Sequence, residues 1–104
     1  MNRFLRLIVA TAAILTVTTA LRAAEPLRVF LRAGVKTHGP NQHDHPRFLG
    51  DWTKLLGDRG IKVDGSMNFP TAAQLEATDV VVVYAADGMK ITGDERARFE
   101  KYLQ

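Results

Sequence analysis

Cysteine is absent from the 104 residues, and serine occurs once, as Ser66. The lack of cysteine excludes disulfides, thiol nucleophiles and thiolate metal sites, so the stability of the fold has to come from a packed core. Ser66 does not stand in the strand–turn–helix elbow that exposes the nucleophile of many hydrolases, which argues against a Ser-His-Asp mechanism.

The N-terminal segment, residues 1–23, has the order of features found in a secretory signal peptide. Two arginines within residues 1–6 precede an uncharged run, residues 7–21, and small residues follow near Ala23. A membrane anchor is the competing interpretation, but the run is short compared with the roughly 20 residues of a spanning helix. We therefore expect cleavage near Ala23, a periplasmic or secreted mature chain, and no stable membrane span after cleavage.

The net charge of +3 originates in this same segment. Three of the 14 basic residues (Arg3, Arg6 and Arg22) precede or adjoin the expected cleavage site, which leaves 11 basic residues against 11 acidic ones. A near-neutral mature chain lacks the excess of positive charge that is typical of nucleic-acid-binding proteins. No nucleic-acid partner is expected.

Hydrophobic periodicity predicts three strands that alternate with three helices. Alternating apolar residues mark the first strand, a short alternating stretch marks the second, and four consecutive valines mark the third. Pro46 suits the first position of a helix capped by Asp44 or His45, and Thr92 with Glu95 forms a capping box. The predicted strands are 27–33, 61–64 and 80–86, and the predicted helices are 46–59, 71–76 and 92–103.

This alternation predicts an α/β fold with a parallel sheet between two layers of helices. The edge-like second strand and the apolar third strand favour strand order 2-1-3, the opening of a flavodoxin-like sheet. Four valines without a polar face describe a strand covered on both sides, yet this order leaves them at an open edge. We therefore expect a further strand after Gln104, which makes residues 24–104 the N-terminal portion of a larger domain.

All three histidines lie in one polar stretch, residues 36–46, directly after the first strand. In open α/β sheets, ligands bind beyond the carboxyl ends of the strands, at the point where the strand order reverses. For order 2-1-3 that point lies between strands one and three. The histidine stretch and the loop at 85–88 therefore converge on the predicted ligand site.

The residue types at this site leave several chemistries open. The three histidines with Asp44 can bind a divalent metal, although their spacing is not a common zinc signature. One histidine paired with Asp44 or Asp87 can perform acid–base chemistry. The helix N-terminus at Pro46, with Lys36 and the histidines as donors, can bind an anion or sugar hydroxyls. The remaining interpretation is that Asp44 only caps the helix and the histidines are solvated loop residues. No cofactor is assigned.

Three runs of the chain carry a shared pattern: residues 32–52, which contain the motif THGPxxHD, Phe69-Pro70-Thr71, and residues 79–88, which end in Asp87-Gly88. These runs resemble ThuA-like, trehalose-utilisation-type proteins. The similarity extends over essentially all of the mature chain. That family has the class I glutamine-amidotransferase-like fold, a flavodoxin-like sheet, so the resemblance implies the topology derived above and further strands after Gln104.

The resemblance implies an exported domain that acts in carbohydrate metabolism, on disaccharides or keto sugars as small-molecule partners. The matched positions give His43 and Asp44 as candidate catalytic residues, and His38, Gly39, Asp87 and Gly88 as candidate substrate-binding residues. His45 stands where relatives commonly carry an aromatic residue, which weakens a three-histidine metal site. The alternative is a non-catalytic carbohydrate-binding or accessory domain, attached to further modules and inactive as this fragment.

Overall fold

Three strands and three helices form the fold, in the alternating order that the sequence predicts. The computed structural model describes residues 24–35, 38–84 and 91–104, so the predicted signal peptide lies outside the described residues. The strands are β1 (Arg28–Arg32), β2 (Lys62–Ser66) and β3 (Val80–Val83), and the helices are α1 (His45–Gly57), α2 (Ala72–Glu76) and α3 (Gly93–Tyr102).

The sheet is parallel throughout and has the order β2-β1-β3, which confirms the predicted flavodoxin-like arrangement. Val29 of β1 pairs with Val63 on one side and with Val80 on the other. The connections from β1 to β2 and from β2 to β3 run in opposite directions across the sheet. Right-handed crossovers therefore place α1 and α2 on opposite faces.

The central strand β1 holds the core. Val29 is 5% exposed, and Phe30 and Leu31 are fully enclosed. Burial of such a side chain stabilises the fold by about 1.5–3 kcal/mol relative to its exposure to water. Successive residues point to opposite faces of the sheet, so this one strand supplies apolar contacts to the helices on both sides.

The helix α1 covers the face that carries Val29 and Leu31. Asp44 caps it, Pro46 lies in its first turn, and its apolar stripe follows the predicted helical spacing. The contact is incomplete, because an apolar groove of about 260 Å³ remains open between helix and sheet. This groove is lined by Leu27, Val29, Leu31, Phe48, Trp52, Leu56, Ile61 and Val82.

The helix α3 packs against α2 and lies beside β3. Val80 and Val81 line a surface pocket with Phe99 and Tyr102 of this helix. The ring of Phe99 also packs edge-on against Phe69, with centroids 5.6 Å apart. Both short helices begin with a complete capping box: Thr71 with Gln74 for α2, and Thr92 with Glu95 for α3.

The amino end of the sheet is fastened by a charged pair. The carboxylate of Asp79 accepts hydrogen bonds from the Arg28 backbone N–H at 2.9 Å and from Nε and Nη2 at 3.1 and 2.6 Å. These bonds stabilise the ionised carboxylate, so the Arg28 side chain, and next its backbone N–H, lower the pKa of Asp79 from 3.8 to about 2. The same pairing raises the pKa of Arg28.

The valines of β3 are less covered than their sequence predicts. Within the described part of the chain β3 pairs only with β1, as expected for order 2-1-3. Val80 is 41% and Val82 is 36% exposed, and neither Val81 nor Val83 is fully buried. The expectation of a strand covered on both faces is therefore wrong for these residues, because α1 leans towards β1 and β2 and leaves the outer edge of the face open.

The helices within residues 24–35, 38–84 and 91–104 all lack the length and apolar character needed to cross a membrane.

Candidate functional site

The carboxyl ends of β1 and β3 meet directly. Arg32 pairs with Val83, and the Tyr84 N–H donates to the Arg32 carbonyl at 2.9 Å. Gly34, two residues beyond β1, has φ +75°, and a Cβ placed on it would lie 3.2 Å from the Tyr84 carbonyl oxygen. A side chain at position 34 is disfavoured both by the positive φ and by the nearby Tyr84 carbonyl. The histidine loop therefore begins in contact with the end of β3.

Two of the histidines come together in this loop. The rings of His38 and His43 have centroids 4.8 Å apart and are tilted by 41°, and both residues are exposed. Asn41 and His43 have φ values of 64° and 43°, in the left-handed region. That conformation costs an L-residue about 1–2 kcal/mol, and such strain is frequent where a backbone is shaped for function. The loop therefore presents two adjacent imidazoles on a constrained backbone.

Asp44 is the cap of α1. Its Oδ1 accepts from the Arg47 backbone N–H at 3.1 Å, and its carbonyl accepts from the Phe48 N–H at 2.9 Å. Within the described residues no hydrogen bond joins the Asp44 carboxylate to His43. Asp44 thus has a defined structural role, and its carboxylate already occupies the N-terminus of α1, where the sequence leaves anion binding open.

His45 is a core residue at the mouth of the sheet. It is 3% exposed, and its Nδ1 bonds to the Ala33 carbonyl. A carbonyl only accepts, so Nδ1 is the donor in this hydrogen bond. Nε2 is enclosed and has no hydrogen-bond partner among the described residues. The imidazole packs edge-on against Tyr84 at 5.0 Å, and Tyr84 stacks on Phe48 at 4.2 Å, which ties the loop, α1 and β3 together.

The structure therefore separates the three histidines into an exposed pair and a core residue. Within the described ranges, no group of three or more His, Cys, Asp or Glu side chains is arranged to hold a metal ion. Gly39 lies in the turn between the paired histidines, where its carbonyl accepts from the Gln42 N–H at 3.3 Å. Asp87 and Gly88, the candidates after β3, lie outside the described residues, as does Lys36.

Arg32 is the residue of this edge that sequence reasoning missed. It is the last residue of β1 and half-buried, and its Nε is enclosed without a hydrogen-bond partner among the described residues. The Nη1 atom lies 3.0 Å from the point where a Cβ of Gly34 would stand. Its position in the sequence could have identified it as a candidate, because the last residue of a strand adjoins the ligand-binding edge of a parallel sheet.

Comparison of the chain with protein-family models, with curated proteins and with solved structures found no match. The resemblance to ThuA-like proteins stays a prediction that rests on the three sequence runs.

Proposed function

We propose that the chain is a ThuA-like domain of an exported protein that acts on small carbohydrates, disaccharides or keto sugars, at the carboxyl edge of the sheet. The observation that carries the proposal is the meeting of the histidine loop with the end of β3, where the strand order reverses. Ligands of open α/β sheets bind at this position. The paired His38 and His43 supply donors and acceptors that suit sugar hydroxyls.

In the catalytic form of the proposal, His43 is the acid–base residue. Imidazole changes its protonation near neutral pH and is the commonest general acid or base. His38, with its ring beside that of His43, orients the substrate. Asp44 follows His43 directly in the chain and is the sequence candidate for its orienting partner.

A non-catalytic binding domain is the second candidate, and one observation favours it. The Asp44 carboxylate accepts from the Arg47 backbone N–H rather than from His43, so the His43–Asp44 pair of the catalytic form is not assembled. A capped helix beside two exposed imidazoles is sufficient to bind hydroxyl groups without a proton-transfer step.

The two candidates are separated by testing the full chain against disaccharides and their 3-keto derivatives for binding and for turnover. The catalytic form predicts that His43→Ala lowers turnover by about 10²–10⁴-fold. Asp44→Ser retains a good helix cap but removes the carboxylate. Loss of turnover in this variant at unchanged melting temperature assigns Asp44 to the chemistry, whereas unchanged turnover assigns it to the cap alone.

A matched control is Asp58→Ser, which makes the same change at the far end of α1, where Asp58 pairs with Lys54 at 2.6 Å. Binding without turnover supports the non-catalytic domain. If no sugar of the panel binds or reacts, and amide resonances of residues 38–44 do not shift, the proposed function is wrong.

A further inference from the structure

The guanidinium of Arg32 has no partner in the described part of the chain. It is half-buried at the end of β1, Nε is enclosed, and no hydrogen bond or ion pair joins the group to a described residue. Four other basic side chains are paired with acids at 2.6–3.3 Å: Arg28 with Asp79, Arg47 with Asp51, Lys54 with Asp58, and Arg96 with Glu100. Arg98 shares with Arg32 an enclosed Nε without a described partner. A partly buried charge without a counter-charge is costly, which favours a bound anion beside it.

The position of this guanidinium coincides with the proposed ligand edge. Nη1 of Arg32 and the carbonyl oxygen of Tyr84 approach the same point beside Gly34, at 3.0 and 3.2 Å from the place of a Cβ. The absence of a side chain at Gly34 therefore leaves room for the guanidinium beside the carboxyl ends of β1 and β3. The loop that carries His38 and His43 starts from the same glycine.

We propose that Arg32 binds an anionic group of the ligand, a carboxylate or a phosphate ester, so that the carbohydrate taken by this edge is an acidic one. This inference rests on the proposed function for the sugar and on Arg32 for the charge. The planar fork of a guanidinium matches the paired oxygens of both anions, and charge-assisted bonds of this kind are about twice as strong as neutral ones. The exposed imidazoles bind the hydroxyl groups of the same molecule.

The test is an NMR titration of the full chain with four probes: trehalose, glucuronate, glucose 6-phosphate and inorganic phosphate. Arg32→Met removes the charge and keeps an unbranched side chain, and Arg32→Lys keeps the charge but loses the fork. Arg98→Met is the matched control, because the Arg98 Nε is also enclosed without a described partner but lies beside the pocket between α2 and α3.

We expect at least one acidic sugar to bind more tightly than trehalose and to shift the amides of Arg32 and Gly34. Arg32→Met weakens that binding by about 10- to 100-fold, the loss of a charge-assisted hydrogen bond, while Arg98→Met leaves it unchanged. A preference for glucuronate identifies a carboxylate, and a preference for glucose 6-phosphate identifies a phosphate ester. Arg32→Lys, which perturbs the packing least, gives an intermediate affinity.

Equal binding of trehalose and the acidic sugars, with no effect of either Arg32 variant, overturns the role of Arg32 and leaves the proposed function intact. If inorganic phosphate and glucuronate bind at Arg32 with the same affinity, the sugar hydroxyls contribute nothing to binding. That result supports the anion site and contradicts the carbohydrate function. The inference is also overturned if an acidic sugar binds Arg32→Met as tightly as it binds the parent chain. The spectral dispersion of the variant must be unchanged, which shows that it is folded.

Discussion

Gly65 lies in β2 at a point where α1 and β1 leave no space for a side chain. A Cβ added there would stand 2.6 Å from Cδ1 of Leu49, 2.9 Å from the Leu31 carbonyl oxygen and 3.2 Å from the Leu31 Cβ. The Leu49 methyl group can rotate away, but the Leu31 backbone is held in the centre of the sheet and its side chain is fully enclosed. The strands or α1 therefore have to move.

Overpacking of this kind costs about 1–3 kcal/mol. Part of that cost is offset, because alanine loses less backbone entropy than glycine on folding, an effect of about 0.4–1 kcal/mol. We expect Gly65→Ala to lower the free energy of unfolding by about 1–2 kcal/mol and the melting temperature by about 4–8 °C for each kcal/mol.

The matched control is Gly50→Ala in α1. No atom lies within 4 Å of the added Cβ there, and the position is exposed. Alanine is favoured over glycine in the interior of a helix by about 0.5–1 kcal/mol, so this variant should be more stable than the parent chain. Urea unfolding followed by circular dichroism and by the fluorescence of Trp52 measures both changes. Gly65→Ala at or above the stability of the parent would refute the close packing of β2 against β1.

Two further variants test the charged pair and the strained loop. Asp79→Asn should melt below the parent at neutral pH. Arg28 lowers the pKa of Asp79 in the folded chain from 3.8 to about 2, so the ionised carboxylate stabilises the fold. This stabilisation is complete above pH 4 and is lost as the pH falls towards 2. Melting temperatures of both chains against pH should therefore converge at the acid end, and a constant difference would contradict this pairing. His43→Gly removes the strain of a left-handed residue, about 1–2 kcal/mol, while glycine loses more backbone entropy on folding, a cost of about 0.5–1 kcal/mol. The melting temperature should therefore be equal to or above that of the parent, and sugar binding should fall. A lower melting temperature would show that the imidazole of His43 supports the fold.

The local signals of the sequence predict the elements well. Asp44 and Thr92 cap their helices as their side chains indicate, and the alternation of β1 places Val29 and Leu31 on one face. These features depend on residues within one helical turn or one strand, so a local sequence pattern is sufficient to predict them. The strand order is favoured by the short, edge-like pattern of the second strand and the apolar character of the third.

The features that need distant neighbours were not predictable in the same way. Four valines indicate a strand, but whether Val80 and Val82 are covered depends on how α1 lies over the sheet. His45 belongs to the same polar stretch as His38 and His43, yet the first turn of α1 directs it to the Ala33 carbonyl in the core. Arg32 is a site candidate because its guanidinium lies beside Gly34 and the Tyr84 carbonyl. The close approach of β3 to Gly34 depends on strand pairing, which no local sequence pattern predicts.

The central position of β1 also shapes how the chain folds. Both partners of this strand come later in the sequence, and Arg28 meets Asp79 across 51 positions. Each strand pairing has to close a long loop, and such non-local contacts slow the folding of a small domain. The helices α1 and α3, whose caps and ion pairs are local, can form early. Until β2 and β3 arrive, Val29, Phe30 and Leu31 are exposed together, so a newly made chain passes through an interval in which its future core is open to self-association.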